Sequence, residues 1–274
     1  MSEQPFEFER SEVEKLMTLA GTAPSGGNVQ AWKVHAEPDR LSLCLDESRS
    51  DSFIDVKRYA SVFSLGSFAA TLAAASKALG FGFEHRFHGY HSIEKPLACF
   101  VYTDRHEPAA NAWKVLNHIT ERVTNRCPQP DKAIPEAAFE QLKNSISINS
   151  DLRLRGVSRA DEKTEASSIL GRADRLRMHH KLLHDQMFQE LRWNSSEALS
   201  TGDGIDTATL ELPGAVQMAM RAMRHYPVAR YVVPKIALER AAHAPIAASA
   251  QVCCLSNRDP ISPESLFRAG WALQ

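Results

Sequence analysis

The run RYASVFSLGSFAATLAAASKALGFG, Arg58 to Gly82, limits the fold more than any other part of this 274-residue chain. It is rich in alanine, carries Leu65, Phe68, Leu72 and Leu79, and has one charged side chain between Tyr59 and Gly82, that of Lys77. Such a segment is expected to be a long helix buried on all sides. So many small residues imply close packing against another helix or a cofactor layer. Gly80 and Gly82 end it. Because these glycines follow the helix instead of preceding it, they make no dinucleotide-binding fingerprint.

The stretch before it is the other unusual feature. APSGGNVQAW, Ala23 to Trp32, joins a helix expected over Arg10 to Gly21 to a strand starting at Trp32. Pro24 stops the helix by removing an amide donor and fixing φ. Ser25, Gly26, Gly27 and Asn28 then make a small permissive turn whose amides can approach a flat ligand closely. Gln30 and Trp32 are expected on one side of an extended segment. Read on its glycines alone, the stretch is an ordinary loop.

Further along, Arg122, Thr124 and Arg126 form an RxTxR pattern. If extended, the segment points two guanidinium groups and a hydroxyl the same way, a donor set suited to a phosphate monoester. Taken alone it reads as a solvated basic surface.

In combination the two motifs are similar to those of the nitroreductase family of flavin oxidoreductases, which carries an APSxxNxQPW loop and an RxSxR phosphate motif. Ala31 stands here where the family usually has proline, and Thr124 where it has serine. The resemblance implies an α+β fold with a central, mostly antiparallel sheet flanked by helices. It also implies one flavin mononucleotide (FMN) per site, with Pro24, Ser25, Gly26 and Asn28 beside the flavin ring and Arg122, Thr124 and Arg126 on the phosphate. The first half has the loop without RxTxR. The second has RxTxR but reads NSISINS, Asn144 to Ser150, where its own loop should lie. One nitroreductase-like domain over 10–274, built of two degenerate halves of about 10–105 and 107–274, is therefore expected to hold a single composite site. Such fusions resemble the Acg-type branch, which has a late GIxxxxLxLPG segment like Gly204 to Gly214. The implied reaction is ping-pong, from NAD(P)H through flavin to a nitroaromatic or quinone-like acceptor, with no catalytic acid or base assigned to the protein. The alternative on the same fold is a protein that binds or sequesters flavin without turnover, or that is flavin-free and stress-related.

Composition restricts partners more than fold. Lys plus Arg number 32 against 33 Asp plus Glu, so a net charge of −1 gives no reason to expect nucleic acid or an anionic membrane. No apolar run is read as approaching the roughly 20 residues that span a bilayer, and no leader is apparent. The chain is expected in the cytoplasm, as a monomeric pseudo-dimer or a homodimer. Cys44, Cys99, Cys127, Cys253 and Cys254 show no zinc-ribbon or CxxC spacing and are expected to be reduced and mostly buried. His180 and His184 lie four apart, but without a third ligand they read as part of an exposed basic helix face, and no metal is expected. Cys127 has no recognisable histidine partner and Ser25 no GxSxG elbow, so a nucleophilic hydrolase is not indicated.

Other elements follow from periodicity. Strands are expected at Trp32 to Glu37, Leu41 to Leu45, Phe83 to Phe87, Leu97 to Thr103, Leu152 to Val157 and Ala247 to Leu255. Helices are expected around Trp113 to Ile119, from Pro135 to Asn144, from Arg159 to Trp193, near Ala215 to Met223 and Val228 to Arg240, and from Pro263 onward. Ser195 to Gly214 reads as an irregular connection.

Overall fold

The computed structural model describes residues 9–89, 95–126, 134–147, 152–234, 245–258 and 260–274. The chain gathers into two compact units, one made by residues up to Thr124 together with Pro260–Gln274, the other by the stretch between. The secondary structure is mixed α+β with an antiparallel sheet.

In chain order the first unit contributes α1 (Arg10–Ala20), β1 (Trp32–Glu37), β2 (Arg40–Leu45), α2 (Glu47–Ser50), α3 (Tyr59–Ala78), β3 (Phe81–Phe87), β4 (Ala98–Arg105) and α4 (Ala112–Glu121). The second holds α5 (Glu136–Ser147), β5 (Leu152–Val157), α6 (Ala160–His179), α7 (Lys181–Gln189), β6 (Leu191–Arg192), α8 (Ser195–Thr201), β7 (Ile205–Asp206), α9 (Gly214–Met223) and β8 (Val252–Asn257). The last helix, α10 (Pro263–Leu273), belongs to the first unit.

The first unit is a four-stranded sheet in the order β1-β2-β4-β3, every pair antiparallel. Alternate residues of a strand share a face, so Leu41, Leu43 and Leu45 of β2 join Ala98 and Phe100 of β4 in one buried cluster with Leu65, Phe68 and Leu72 of α3. Here α3 is the expected core helix, two turns shorter at most than the apolar run. Gly80, at φ +83°, turns the chain after it, and Phe81 and Gly82 already belong to β3. Together with the short turn before it, Val56–Ala78 is long and apolar enough by composition to cross a membrane, contrary to the expectation that no run is. Within this unit 72% of that apolar stretch is buried, as a core helix requires.

The start of α3 is held from outside the helix. Lys57 and Arg58 both adopt left-handed φ, and the Asp55 carboxylate accepts hydrogen bonds from the amides of Ala60 (2.7 Å) and Ser61 (3.0 Å) and from the Ser61 hydroxyl (2.6 Å). A carboxylate there satisfies otherwise orphaned donors and opposes the helix dipole. Asp55→Ala is expected to lower stability by about 1–2 kcal/mol, read as a fall in the urea midpoint at constant slope; an unchanged midpoint would refute the capping role.

Helix α10 crosses α3 with almost no space between the backbones. A methyl group added at Gly66 would overlap the carbonyl oxygen of Phe267, and one added at Gly270 would overlap that of Phe63. The buried Ser67 hydroxyl donates to the Gly270 carbonyl at 2.9 Å across the same crossing. The two helices thus make reciprocal use of a Phe-x-x-Gly segment, Phe63–Gly66 on one and Phe267–Gly270 on the other. Ser262 caps α10 with Pro263 in its first turn, as its sequence predicts.

In the second unit β5 and β8 pair antiparallel, Leu152 opposite Asn257 and Val157 opposite Val252. Several expectations need correction here. The helix expected over Arg159 to Trp193 is broken at His180, whose backbone is extended (φ −103°, ψ 119°), and it ends at Gln189. The connection after it is not irregular throughout, because Asn194 accepts the Glu197 amide at 2.9 Å and starts α8, which Gly202 closes at φ +65°. Residues 245–248 are helical, so the last strand begins at Val252 instead of Ala247. Of the helix expected from Val228 to Arg240, the described part is a wide turn over Val228–Val232, and residues 235–240 lie outside the described residues.

Candidate functional site

The stretch between α1 and β1 is a compact, conformationally costly loop. The Asn28 amide donates to the Ser25 carbonyl (3.0 Å) and the Val29 amide to that of Gly26 (3.2 Å), closing a single tight turn. Gly27, Asn28 and Gln30 all have left-handed φ, at 60°, 52° and 51°. Only the glycine takes that conformation without cost. The left-handed backbone of Gln30 corrects the expectation that Gln30 and Trp32 share the face of one extended segment, since the strand starts at Trp32. Surrounding bonds hold the turn in place. The Ser25 hydroxyl accepts the Gln30 amide at 3.1 Å, Arg49 donates to the Val29 carbonyl at 3.2 Å, and the Asp46 amide donates to that of Ala31 at 3.2 Å. Ala31 is buried, and Trp32 packs its ring 4.9 Å from that of Phe68. Gly26 and Asn28 are exposed, and Pro24 and Ser25 half-buried. A rigid loop with an exposed crest is thereby set against the start of α3.

Backbone strain held by its surroundings concentrates at ligand-contacting segments. Asn28→Gly is expected to raise stability by about 0.5–1 kcal/mol by removing the left-handed penalty. Thermal unfolding checks this, and a lowered midpoint would show that the Asn28 side chain holds the turn.

RxTxR begins where α4 ends. Arg122, half-buried in an extended conformation, donates from Nε (3.2 Å) and Nη2 (3.0 Å) to the carbonyl of Thr22, directly before the loop. Thr22 is itself placed between α1 and α4, its hydroxyl shared between the carbonyls of Leu19 in α1 (2.8 Å) and Ile119 in α4 (3.3 Å). Two motifs a hundred residues apart in sequence are therefore joined by a two-pronged bond in the first unit. Thr124 is exposed. Arg126 lies in the second unit and donates from Nη1 to the Thr209 carbonyl (3.3 Å) and hydroxyl (3.4 Å). Thr209 sits within the Gly204 to Gly214 segment. Each arginine is thus seated on another of the segments singled out in the sequence.

The remaining candidates resolve differently. His184 is not on an exposed basic face. It is 1% exposed, packs against Phe188 and Tyr226, donates from Nε2 to the Met223 carbonyl (2.8 Å), and faces Asp185 at 3.2 Å through Nδ1. With His180 at the helix break, the two histidines do not share a helix face. Asp185 is held below the usual carboxylate range by its bond from Lys181 and then by His184. Among the described residues no three metal-ligating side chains cluster. Of the described cysteines Cys44 and Cys99 are buried, whereas Cys253 and Cys254 are exposed, so the expectation of mostly buried thiols holds for the first pair only. Burial pushes the Cys44 thiol up. Cys127, like residues 148–150 of NSISINS, lies outside the described residues; Asn144 to Ser147 form the end of α5.

No known protein-family model matches the chain. It is similar to the uncharacterised protein MT1398 of Mycobacterium tuberculosis (strain CDC 1551 / Oshkosh), 31% identical over 206 residues. The match covers 73% of this chain and 27% of that protein, so the chain corresponds to about a quarter of the relative's length.

Proposed function

We propose that the chain is an FMN-dependent oxidoreductase of nitroreductase type, with one composite flavin site made by two fused, degenerate halves. The observation that carries this reading is the seating of the arginines. Arg122 is bonded to the head of the Ala23 to Trp32 loop, and Arg126 to Thr209 within Gly204 to Gly214. The reciprocal Phe-x-x-Gly crossing of α3 and α10 also supports it, because a contact in which each segment presents the same pair to the other is what two equivalent halves produce.

The residue types of the RxTxR pattern suit the group. Arg122 spends Nε and one Nη2 proton on Thr22, which leaves Nη1 without a partner among the described residues; Arg126 retains Nε and Nη2 in the same sense. With the Thr124 hydroxyl these are planar and neutral donors suited to a phosphate monoester. Pro24, Ser25, Gly26 and Asn28 offer a loop crest without bulky side chains, on which a flat ring can lie. Bound flavin would supply hydride chemistry between NAD(P)H and a flat electron-poor acceptor such as a nitroaromatic or quinone. The protein's own part is to fix the ring against a rigid loop and to anchor the phosphate, and no side chain is assigned a proton transfer.

The test is the visible spectrum of the protein after incubation with FMN and desalting, followed by addition of NADH or NADPH and then of a quinone. About one flavin per chain, bleached by the nicotinamide and restored by the acceptor, is expected. A colourless protein would overturn the flavin site. Retained flavin that stays oxidised would favour the reading in which the fold binds flavin without turnover.

A further inference from the structure

The second unit contains a cleft that the flavin reading does not use. About 420 Å³ in volume, it is lined by Trp193, Asn194, Arg221, Arg224 and His225, within the usual size range of small-molecule sites. A smaller hollow of about 270 Å³ shares Trp193 and Arg224 with it. The indole is backed by Phe188, whose ring is nearly parallel to it (5°) at 6.1 Å, so the aromatic surface is fixed. The Arg224 guanidinium lies 5.5 Å from the indole centroid, and Arg221 donates to the Trp193 carbonyl at 3.2 Å.

Charge is what distinguishes this cleft. Among the described residues neither Arg221 nor Arg224 forms an ion pair with a carboxylate. The nearby acids are otherwise engaged. Glu197 accepts the Trp193 amide at 2.8 Å, Asp185 is bonded by Lys181 and His184, and Asp203 pairs with Arg192 at 2.6 Å. Basic residues at the end of α9 favour its dipole, but that accounts for their position along the helix and not for their meeting an indole around a cavity. Guanidinium groups beside an aromatic surface recognise a planar ring and an anionic group together.

We propose that this cleft binds a small aromatic anion, its ring against Trp193 and its carboxylate or phosphate between Arg221 and Arg224. The assignment is independent of the flavin reading, since none of the flavin-site residues contributes to it.

Saturation-transfer NMR on the full chain tests it with three probes, benzoate, phenyl phosphate and benzyl alcohol, and with inorganic phosphate as a competitor whose affinity is read from the signal it displaces. Benzoate or phenyl phosphate, or both, should receive saturation at the ring protons, whichever binds identifying the anionic group. Arg221→Gln and Arg224→Gln should each weaken that binding about tenfold, the equivalent of one charge-assisted bond. Both side chains are exposed, so the variants should fold, and circular dichroism verifies it; if one does not, the other decides. Trp193→Phe should keep binding and Trp193→Ala lose it. Absence of saturation, equal binding of benzyl alcohol, equal affinity for inorganic phosphate and phenyl phosphate, or indifference to the folded arginine variants would each overturn the proposal.

Discussion

Gly270→Ala and Gly66→Ala are each expected to destabilise the first unit by about 3 kcal/mol or more, a fall of about 10 °C in the unfolding midpoint. In a free helix alanine would gain about 1 kcal/mol over glycine. Here the added methyl group meets a backbone carbonyl of the opposite helix, Phe63 in one case and Phe267 in the other, and a backbone cannot rotate aside as a side chain can. The helices must separate, which strips Phe267 from the buried cluster and lengthens the bond from Ser67 to the Gly270 carbonyl. Because both substitutions open the same crossing, the double variant should lose clearly less than the sum of the two. Gly214→Ala is the control: it too is helical, but a methyl group there meets nothing within 4 Å, and it should be neutral or slightly stabilising. Differential scanning calorimetry on the four variants and the unsubstituted chain decides the matter. Additive losses, or a loss at Gly214 as large as at Gly270, would refute the close crossing.

That crossing also shows where the sequence was legible. The alanine-rich run declared a buried helix because nothing polar on it offers a wet face, and α3 is that helix. What its composition could not name is the partner. Helix α10 comes from nearly two hundred residues later, and the Phe-x-x-Gly segments that meet at the crossing become apparent only once the two helices are together. Strands β1, β2 and β5 lie within a residue of their expected bounds, and β1 and β5 keep a partial alternation of burial, whereas Leu41 to Leu45 of β2 are buried on both faces. Failures gather where a local cap outweighs periodicity. Asp46 accepting the Ser48 amide at 3.0 Å makes the short helix α2 inside a polar stretch, and Asn194 and Gly202 make α8 in what reads as a loop. His180 breaks a helical pattern that carries no proline or glycine at that point, so no sequence signal marked it. The candidate site divides the same way. Pro24, Ser25, Gly26, Asn28 and the three RxTxR residues were identifiable by order and spacing. The anchoring of Arg122 on Thr22 and that of Arg126 on Thr209 depend on contacts 100 and 83 residues apart, which no local pattern contains, and the left-handed turn at Gln30 is held by the Ser25 hydroxyl and by Arg49 from beyond the strands that follow.

Replacing both Arg122 and Arg126 by alanine is expected to abolish retention of FMN through desalting while leaving the chain folded. Each guanidinium placed on a phosphate contributes a charge-assisted bond of about 1.5–3 kcal/mol. Losing two corresponds to a weakening of about two to four orders of magnitude in affinity. Folding should survive for a separate reason. Arg126 and its bonds are exposed, and neither arginine forms an ion pair with a carboxylate among the described residues, so no charge is left unpaired and circular dichroism and the unfolding midpoint should change little. The single variants carry further information. Arg122→Ala also removes the two-pronged bond that helps to tie the head of the Ala23 to Trp32 loop to α4, so it should weaken flavin binding more than Arg126→Ala. Arg122→Lys should recover only part of the loss, because an ammonium cannot span the Thr22 carbonyl and a phosphate with a planar fork. Undiminished flavin in the folded double variant would remove RxTxR from the phosphate and, with it, the argument for a composite site.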